Sequence, residues 1–279
     1  MKQNKIKSIS PFYNAEKFID KCVSSVLTQS YENFDALFID DCSSDGSFEV
    51  MKAMFAEVSK EREFIGYNGV LITEYICTPK RKTNAKSIKI WQRAERTSAA
   101  ENWSDAILRD CEKEDIVASL DGDDWLYDRN VLKYINEQFQ DENLWFMYGG
   151  CAWTDGRNCC SIPYDKKDFD NLRKIQRFKI SQMRNFRAGL FQKIHELDPE
   201  LSNFKNKKGE FYTMAGDVAL TYPMLEMAGF DRIKHNTKHL YVYNRHSPIN
   251  NDKVDQSLQW NNHAEILNKK AFKKIDTYL

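Results

Sequence analysis

The residues best suited to chemistry are three carboxylates in four positions, Asp121, Asp123 and Asp124, interrupted only by Gly122. They follow Ile116, Val117, Ala118 and Leu120, an apolar run with the length of a strand buried on both faces. Carboxylates held this close repel one another, so a fold that keeps them together needs a cation, protons or water to offset the charge. At the carboxyl end of a buried strand, where open α/β sheets bind ligands, a divalent metal meets that need. Oxygen ligands suit magnesium or manganese, and such ions usually keep positions for substrate phosphates. A solvated acidic turn is the plainer reading, because Asp-Gly is a common turn pair. The Gly and Glu spacing of an EF-hand is absent after Asp121, while a nucleophilic Asp of phosphatase type stays open.

Other elements bring comparable groups to their ends. Residues 6–10 read as a strand that breaks at Pro11 and is followed by Phe12, Tyr13 and Asn14. Asn14 is placed to cap a helix whose apolar positions are Phe18, Ile19, Cys22, Val23, Val26 and Leu27. Residues 34–39 form a second strand ending in Asp40 and Asp41, and Phe48, Met51, Met54, Phe55 and Val58 then resume the helical period. Strand, helix, strand, helix with short polar connections predicts a parallel α/β sheet.

Residues 70–77 are a third strand candidate. The basic segment with Lys80, Arg81, Lys82, Lys86, Lys89, Arg93 and Arg96 reads as a solvated loop, or as an electrostatic funnel for phosphates or an acidic acceptor. Helices are expected over 98–109, 131–139 and 186–194, and strands over 144–153 and 240–243. Residues 211–230 contain a helix that Pro223 should kink or restart. Residues 256–279 suggest a basic amphipathic helix.

The bulk composition narrows the setting. The 279 residues can bury a substantial core, with 42% hydrophobic and 29% charged side chains. Forty-one basic and forty-one acidic residues cancel, which argues against a nucleic-acid partner. No apolar run has membrane-spanning length and the first residues lack a signal-peptide core, so a cytoplasmic protein is expected. Seven cysteines without CxxC spacing point to free thiols in a reducing compartment; Cys151, Cys159 and Cys160 carry no assigned role. The basic C-terminal helix leaves peripheral membrane contact or a homo-oligomer contact open.

If the first strands are parallel neighbours, Pro11–Asn14, Asp40–Asp41 and Asp121–Asp124 open on one edge of the sheet. An aromatic ring, a carboxylate able to accept from a base N–H and a metal-binding cluster then share one crevice, a nucleoside diphosphate site. It lacks both GxGxxG and GxxxxGK[ST], which counts against dehydrogenases and P-loop enzymes.

The segments SPFYNAEKFIDKCVSSVLTQSYENFDALFIDDCSSDGS, SLDGDDWL and GDVALTYPMLEMAG, in this order, resemble a family 2 glycosyltransferase of the GT-A fold. The likeness covers most of the chain and is strongest over its first half. It implies an α/β, Rossmann-like, mostly parallel central sheet flanked by helices, with a smaller acceptor-side C-terminal part. It also implies inverting transfer from a nucleotide-sugar donor, with UDP favoured, to a glycan-type, lipid-linked or protein-linked acceptor hydroxyl with Mg²⁺ or Mn²⁺. On this reading residues 1–150 bind the donor, 151–255 form the acceptor side of the same domain, and 256–279 are the terminal helix.

Carried onto this chain, the resemblance puts Pro11, Tyr13 and Asn14 at the nucleotide, with Asp41 or Asp40 bonding its base. Asp121 would approach the ribose or diphosphate and Asp123 would be the metal ligand. Asp217 would be the catalytic base, although Gly216 stands where the family usually has a second acid. Arg245 and His246 fall where diphosphate contacts occur, with His246 also a metal candidate. The segment ERTSAAEN keeps Asn102 but has Glu101 in place of an expected Arg, leaving the donor-sugar contacts open. Two rivals remain: a sugar-nucleotide nucleotidyltransferase, and a non-catalytic glycan- or nucleotide-binding module on a degenerate fold.

Overall fold

The computed structural model describes residues 1–158, 161–175, 177–246 and 255–279. Its frame is a nine-stranded sheet in the order β11-β8-β10-β6-β1-β2-β5-β4-β3. β1 (Ile6–Phe12) lies at the centre, parallel to β2 (Phe34–Asp40) on one side and to β6 (Ile116–Ser119) on the other. β5 (Ala85–Arg93) continues the parallel set beyond β2. The long hairpin of β3 (Phe55–Ile65) and β4 (Leu71–Pro79) closes that edge in antiparallel fashion. On the far side, β10 (Arg184–Arg187) runs antiparallel between β6 and β8 (Phe146–Tyr148), and β11 (Ile233–His235) ends the sheet.

Both faces are covered, as a parallel sheet requires. One face packs on α1 (Ile19–Leu27), α2 (Ser47–Ala53) and α4 (Val131–Gln138); Cys22, Val23, Met51, Leu132 and Ile135 sit in that core. The other packs on α3 (Ala99–Asp110), α6 (Ala188–Leu197) and α7 (Gly216–Ala228), through Trp103, Ile107, Phe191 and Leu220. A short α5 spans Lys166–Phe169. A small second sheet of β7 (Trp125–Leu126), β12 (Tyr241–Tyr243) and β9 (Cys151–Trp153) follows the acidic turn.

Several expectations change. Pro11 does not break β1: it pairs in register with Ile39, and its carbonyl still accepts a hydrogen bond. α1 starts at Ile19, not after Asn14, which has a left-handed φ of 48° and caps nothing. Phe55 and Val58 belong to β3; their spacing mimicked a helix, but cross-strand pairing with β4 decides the conformation. Residues 144–153 form two strands in different sheets, divided at Gly149 and Gly150. Gly150 has φ of 85°, and a Cβ there would lie 2.2 Å from the Lys238 carbonyl oxygen. Residues 184–187 are strand before α6 begins, and α7 runs through Pro223 without a break.

The basic segment holds the largest correction. Lys86, Lys89 and Arg93 lie on β5, inside the sheet. Ile88 and Ile90 are buried at alternate positions, while Lys89 pairs with Asp110 and Glu74. Arg93, with a side chain fully withdrawn from solvent, donates to Asp105 at 2.6 Å and to Asn102. Lys89 and Arg93 are partnered by Glu74 on β4 and by Asp110 and Asp105 on the overlying helix α3, which composition could not reveal, while Lys86 is exposed.

The terminal helix is also shorter than expected. α8 covers Gln256–Leu267, after which the chain runs irregularly with Phe272, Ile275 and Tyr278 packed on the core. Ile266, Leu267, Phe272 and Ile275 of the predicted apolar side thus pack within the fold, while Leu258 and Trp260 stay exposed. No helix among the described residues is long and apolar enough to cross a membrane. Cys22, Cys42, Cys77 and Cys111 are free thiols but Cys151 is disulfide-bonded, against the expectation of thiols throughout. Cys159 and Cys160 lie outside the described residues.

Arg93→Met would leave the Asp105 carboxylate buried with only the Tyr67 amide and Arg109 as partners. Breaking such a pair should lower the unfolding free energy by about 3 kcal/mol, read from urea denaturation with an unchanged slope. A loss below about 1 kcal/mol, the scale of an exposed pair, would contradict it.

Candidate active site

The carboxyl end of β1 organises the cleft. Phe12 accepts a hydrogen bond from the Asp41 amide at 2.9 Å, and Pro11 accepts one from the Gly122 amide at 2.9 Å. The loops after β2 and β6 are thus tied to the same strand end, as the parallel order predicts. Gly122 is needed for this crossing, because a Cβ there would stand 2.2 Å from that of Phe12.

Two cavities of about 630 and 620 Å³ open along this rim. The first is lined by Pro11, Tyr13, Asp41, Arg96, Thr97 and Asp121 among others. The second is lined by Trp103, Trp153, Gln182, Arg184, Asp217 and Arg245 among others. They share Ala99, Asp121, Asp123 and Thr213, so the acidic turn is the wall between them. Cavities of this size suit small-molecule ligands.

Three of the residues named from the sequence stand apart from this cleft. Asn14 lines neither cavity; its side chain bonds Ser44 and the Asp45 amide, clamping the two loops together. Asp40 turns away, accepting from the Ser43 amide at 2.9 Å and from Gln92, and burial raises its pKa. Asp41 instead lines the first cavity and accepts from the Thr97 amide and hydroxyl on one oxygen. His246 lies exposed on a turn, its amide bonded to Asn244, and lines neither cavity.

Within the acidic turn the three carboxylates have separate surroundings. Asp124 is buried, bonded by the Tyr241 hydroxyl and the Asn244 amide. Burial, and then repulsion from Asp123 and Asp121, holds its pKa well above the usual carboxylate range. Asp121 accepts from the Tyr241 hydroxyl and from Gln182, both at 3.1 Å. Asp123 faces both cavities.

Among the described residues, no three His, Cys, Asp or Glu side chains converge as a ready metal cage. The donor set still fits one role. Asp123 and Asp121 offer hard oxygens at the shared wall, and magnesium or manganese is commonly held by one or two carboxylates completed by substrate phosphates and water. The residues suit an ion that arrives with a nucleotide.

Asp217 opens α7, its side chain 40% exposed into the second cavity, where Arg184 of β10 reaches it at 3.2 Å. Arg245 stacks over Trp153 at 4.8 Å. Sequence reading missed Arg96, which lies over the Tyr13 ring at 3.8 Å, together with Thr97, Gln182 and Arg184. Arg96 was visible only as one charge in a basic run, and nothing in the weakly patterned residues 154–185 singled out Gln182 or Arg184. Glu101 completes a capping box with Ser98 at the start of α3, so at that position it serves the helix.

Comparison with known proteins agrees with this architecture. Residues 8–66 match the model of glycosyl transferase family 2. An uncharacterized glycosyltransferase of Haemophilus influenzae is 27% identical over 178 residues, covering 63% of this chain and 59% of that protein. The structure of Staphylococcus aureus TarS in complex with UDP-GlcNAc superposes with a TM-score of 0.57 at 17% identity, over 87% of this chain and 59% of that one. A mannosyltransferase from Pyrobaculum calidifontis, in complex with GDP-Man and Mn²⁺, gives 0.54 at 15% identity, over 87% and 57%. The chain thus spans less than two thirds of each of these proteins. The fold is that of GT-A glycosyltransferases, and the family 2 resemblance seen in the sequence is borne out.

Asn14→Ala should cost about 1–2 kcal/mol of stability, through a lost turn clamp and a left-handed backbone position, and leave nucleotide affinity unchanged. Asp41→Ala should weaken nucleotide binding. Calorimetry of both variants with UDP and GDP checks the contrast; equal losses of affinity would contradict it.

Proposed function

For a chain with a family 2 glycosyltransferase segment on a GT-A fold, we propose transfer of a sugar from a nucleoside-diphosphate sugar to an acceptor hydroxyl with inversion at the anomeric carbon. The observation that carries this reading is the meeting of two cavities at Asp121 and Asp123, with Asp217 lining the second of them. One cavity takes the nucleotide and the other the acceptor, so the reacting carbon falls between them.

In the first cavity Tyr13 offers an aromatic face and Pro11 a flat wall. Asp41 uses one oxygen for Thr97 and keeps the other for a base N–H, which both uracil and guanine present. UDP-sugars are favoured because the TarS complexes hold UDP and UDP-GlcNAc, with GDP-sugars the alternative that the mannosyltransferase represents. Asp121, fixed by Tyr241 and Gln182, borders the ribose and diphosphate. A Mg²⁺ or Mn²⁺ held by Asp123 would neutralise charge on the diphosphate as the bond to the sugar breaks.

Asp217 accepts the proton of the acceptor hydroxyl as its oxygen attacks the anomeric carbon from the face opposite the leaving group. The glycosidic C–O bond to the diphosphate breaks, and the diphosphate leaves with the bonding pair. The transition state has oxocarbenium character, by analogy with glycoside hydrolysis. Arg245 lines the second cavity above Trp153 and would stabilise the departing charge where the diphosphate reaches the shared wall.

Asp217→Asn should cut turnover by about 10²–10⁴-fold while donor binding persists. Asp123→Ala should abolish turnover and also the Mn²⁺-dependent part of donor binding. Calorimetry and nucleoside-diphosphate release against a panel of UDP- and GDP-sugars, with and without Mn²⁺, check both. Near-normal turnover by the Asp217 variant would remove it as the base. Donor binding without any turnover in the wild-type chain would favour a binding module.

A further inference from the structure

Arg184 lies in a segment where the sequence showed no pattern, yet it reaches the residue on which the proposed chemistry turns. Its Nη1 donates to Oδ2 of Asp217 at 3.2 Å. Its own position is set by β10, with its amide donating to the Ser119 hydroxyl at 3.1 Å at the end of β6. Only 8% of the Arg184 side chain is exposed, against 40% for Asp217, so a fixed cation meets a carboxylate that faces the cavity.

The other oxygen of Asp217 accepts from the Val218 amide at 2.9 Å, in the first turn of α7. Each carboxylate oxygen therefore has one donor and retains acceptor capacity for a hydroxyl. Neighbouring Gly216 brings no acid, although a Cβ there would meet Ala100 only at 3.6 Å, an ordinary contact. Packing does not force the missing acid, and the charged side chain that bonds Asp217 among the described residues is Arg184.

We propose that Arg184 is a positioning residue for the transfer reaction: its single hydrogen bond from the sheet fixes the Asp217 carboxylate in the second cavity. The inference rests on Asp217 being the base. An extended strand is a stiffer support than a loop, and misplacement of a reacting group by about 1 Å can cost roughly 10²-fold in rate. Gln182, two residues earlier, ties the same stretch of chain to Asp121, so one segment registers the base against the acidic turn. A rival role is direct contact of Arg184 with the leaving diphosphate, since it lines the same cavity.

The test uses the full chain with Mn²⁺ and, in parallel, UDP-GlcNAc and GDP-mannose, with water as the acceptor. Water's oxygen bonds to the anomeric carbon, its proton goes to Asp217, and the nucleoside diphosphate released is measured. Arg184→Gln should lower kcat by roughly 10²-fold with donor Kd unchanged. Arg184→Lys should recover part of the rate, and added guanidinium ion should restore part of it to Arg184→Ala. The double variant Arg184→Gln/Asp217→Asn should be no slower than Asp217→Asn alone, because the two act as a unit.

A rise of donor Kd with kcat preserved would assign Arg184 to the diphosphate and overturn the inference. Additive losses in the double variant would overturn it as well. If Asp217→Asn itself turns over normally, the base reading fails first and separately. Should Arg184→Gln not fold, the Lys variant and guanidinium rescue decide: no rate change with Lys and no rescue contradicts the role.

Discussion

The structure depends on the hydrogen bonds at the carboxyl end of β1. Two neighbouring loops donate to its last carbonyls, one from the Asp41 amide and one from the Gly122 amide. A strand at the centre of a parallel set offers one shared rim, and ligands of open α/β sheets bind there. What is particular to this chain is how tightly the rim is drawn. Gly122 passes so close to Phe12 that any side chain would push the acidic turn off the strand.

Holding three carboxylates in that turn carries an electrostatic cost, and the fold meets it by separating them. Asp124 goes inward, where the Tyr241 hydroxyl and the Asn244 amide replace water. Tyr241 also bonds Asp121, so one phenol bridges two acids. The small sheet holds this phenol in place: β7 continues directly from the turn and pairs with β12, which carries Tyr241. Asp123 is left at the wall of both cavities. Buried polar groups that are fully bonded give a single arrangement, which a ligand-binding turn needs.

The sequence made the parallel core and its rim legible because three apolar runs end in polar, chemistry-bearing groups. Periodicity alone placed α3 and much of α1. It failed where charge was paired within the fold: Lys89 and Arg93 looked solvated, yet they meet Glu74 on the neighbouring strand and Asp110 and Asp105 on α3. Such pairing depends on tertiary neighbours and leaves no local signature. Asn14 departs from expectation for a related reason. Its residue type suits a helix cap, but a left-handed backbone and bonds to Ser44 make it a clamp between loops. Asp40 and Asp41 could not be told apart until the loop geometry sent one inward and one to the cleft. The tail shows the limit of amphipathic patterns, since apolar spacing marks a buried face without saying what covers it.

Asp41 and Asp217, far apart in the chain, thus line two cavities that share Asp123, assembled from the ends of β2, β6 and α7. The most direct measurement is a crystal structure of the chain soaked with Mn²⁺ and UDP, and separately with Mn²⁺ and GDP, with anomalous data at the manganese edge. An anomalous peak is expected on Asp123 beside the diphosphate, with the base between Tyr13 and Asp41. Nucleotide bound elsewhere, or manganese bound away from Asp123, would contradict it.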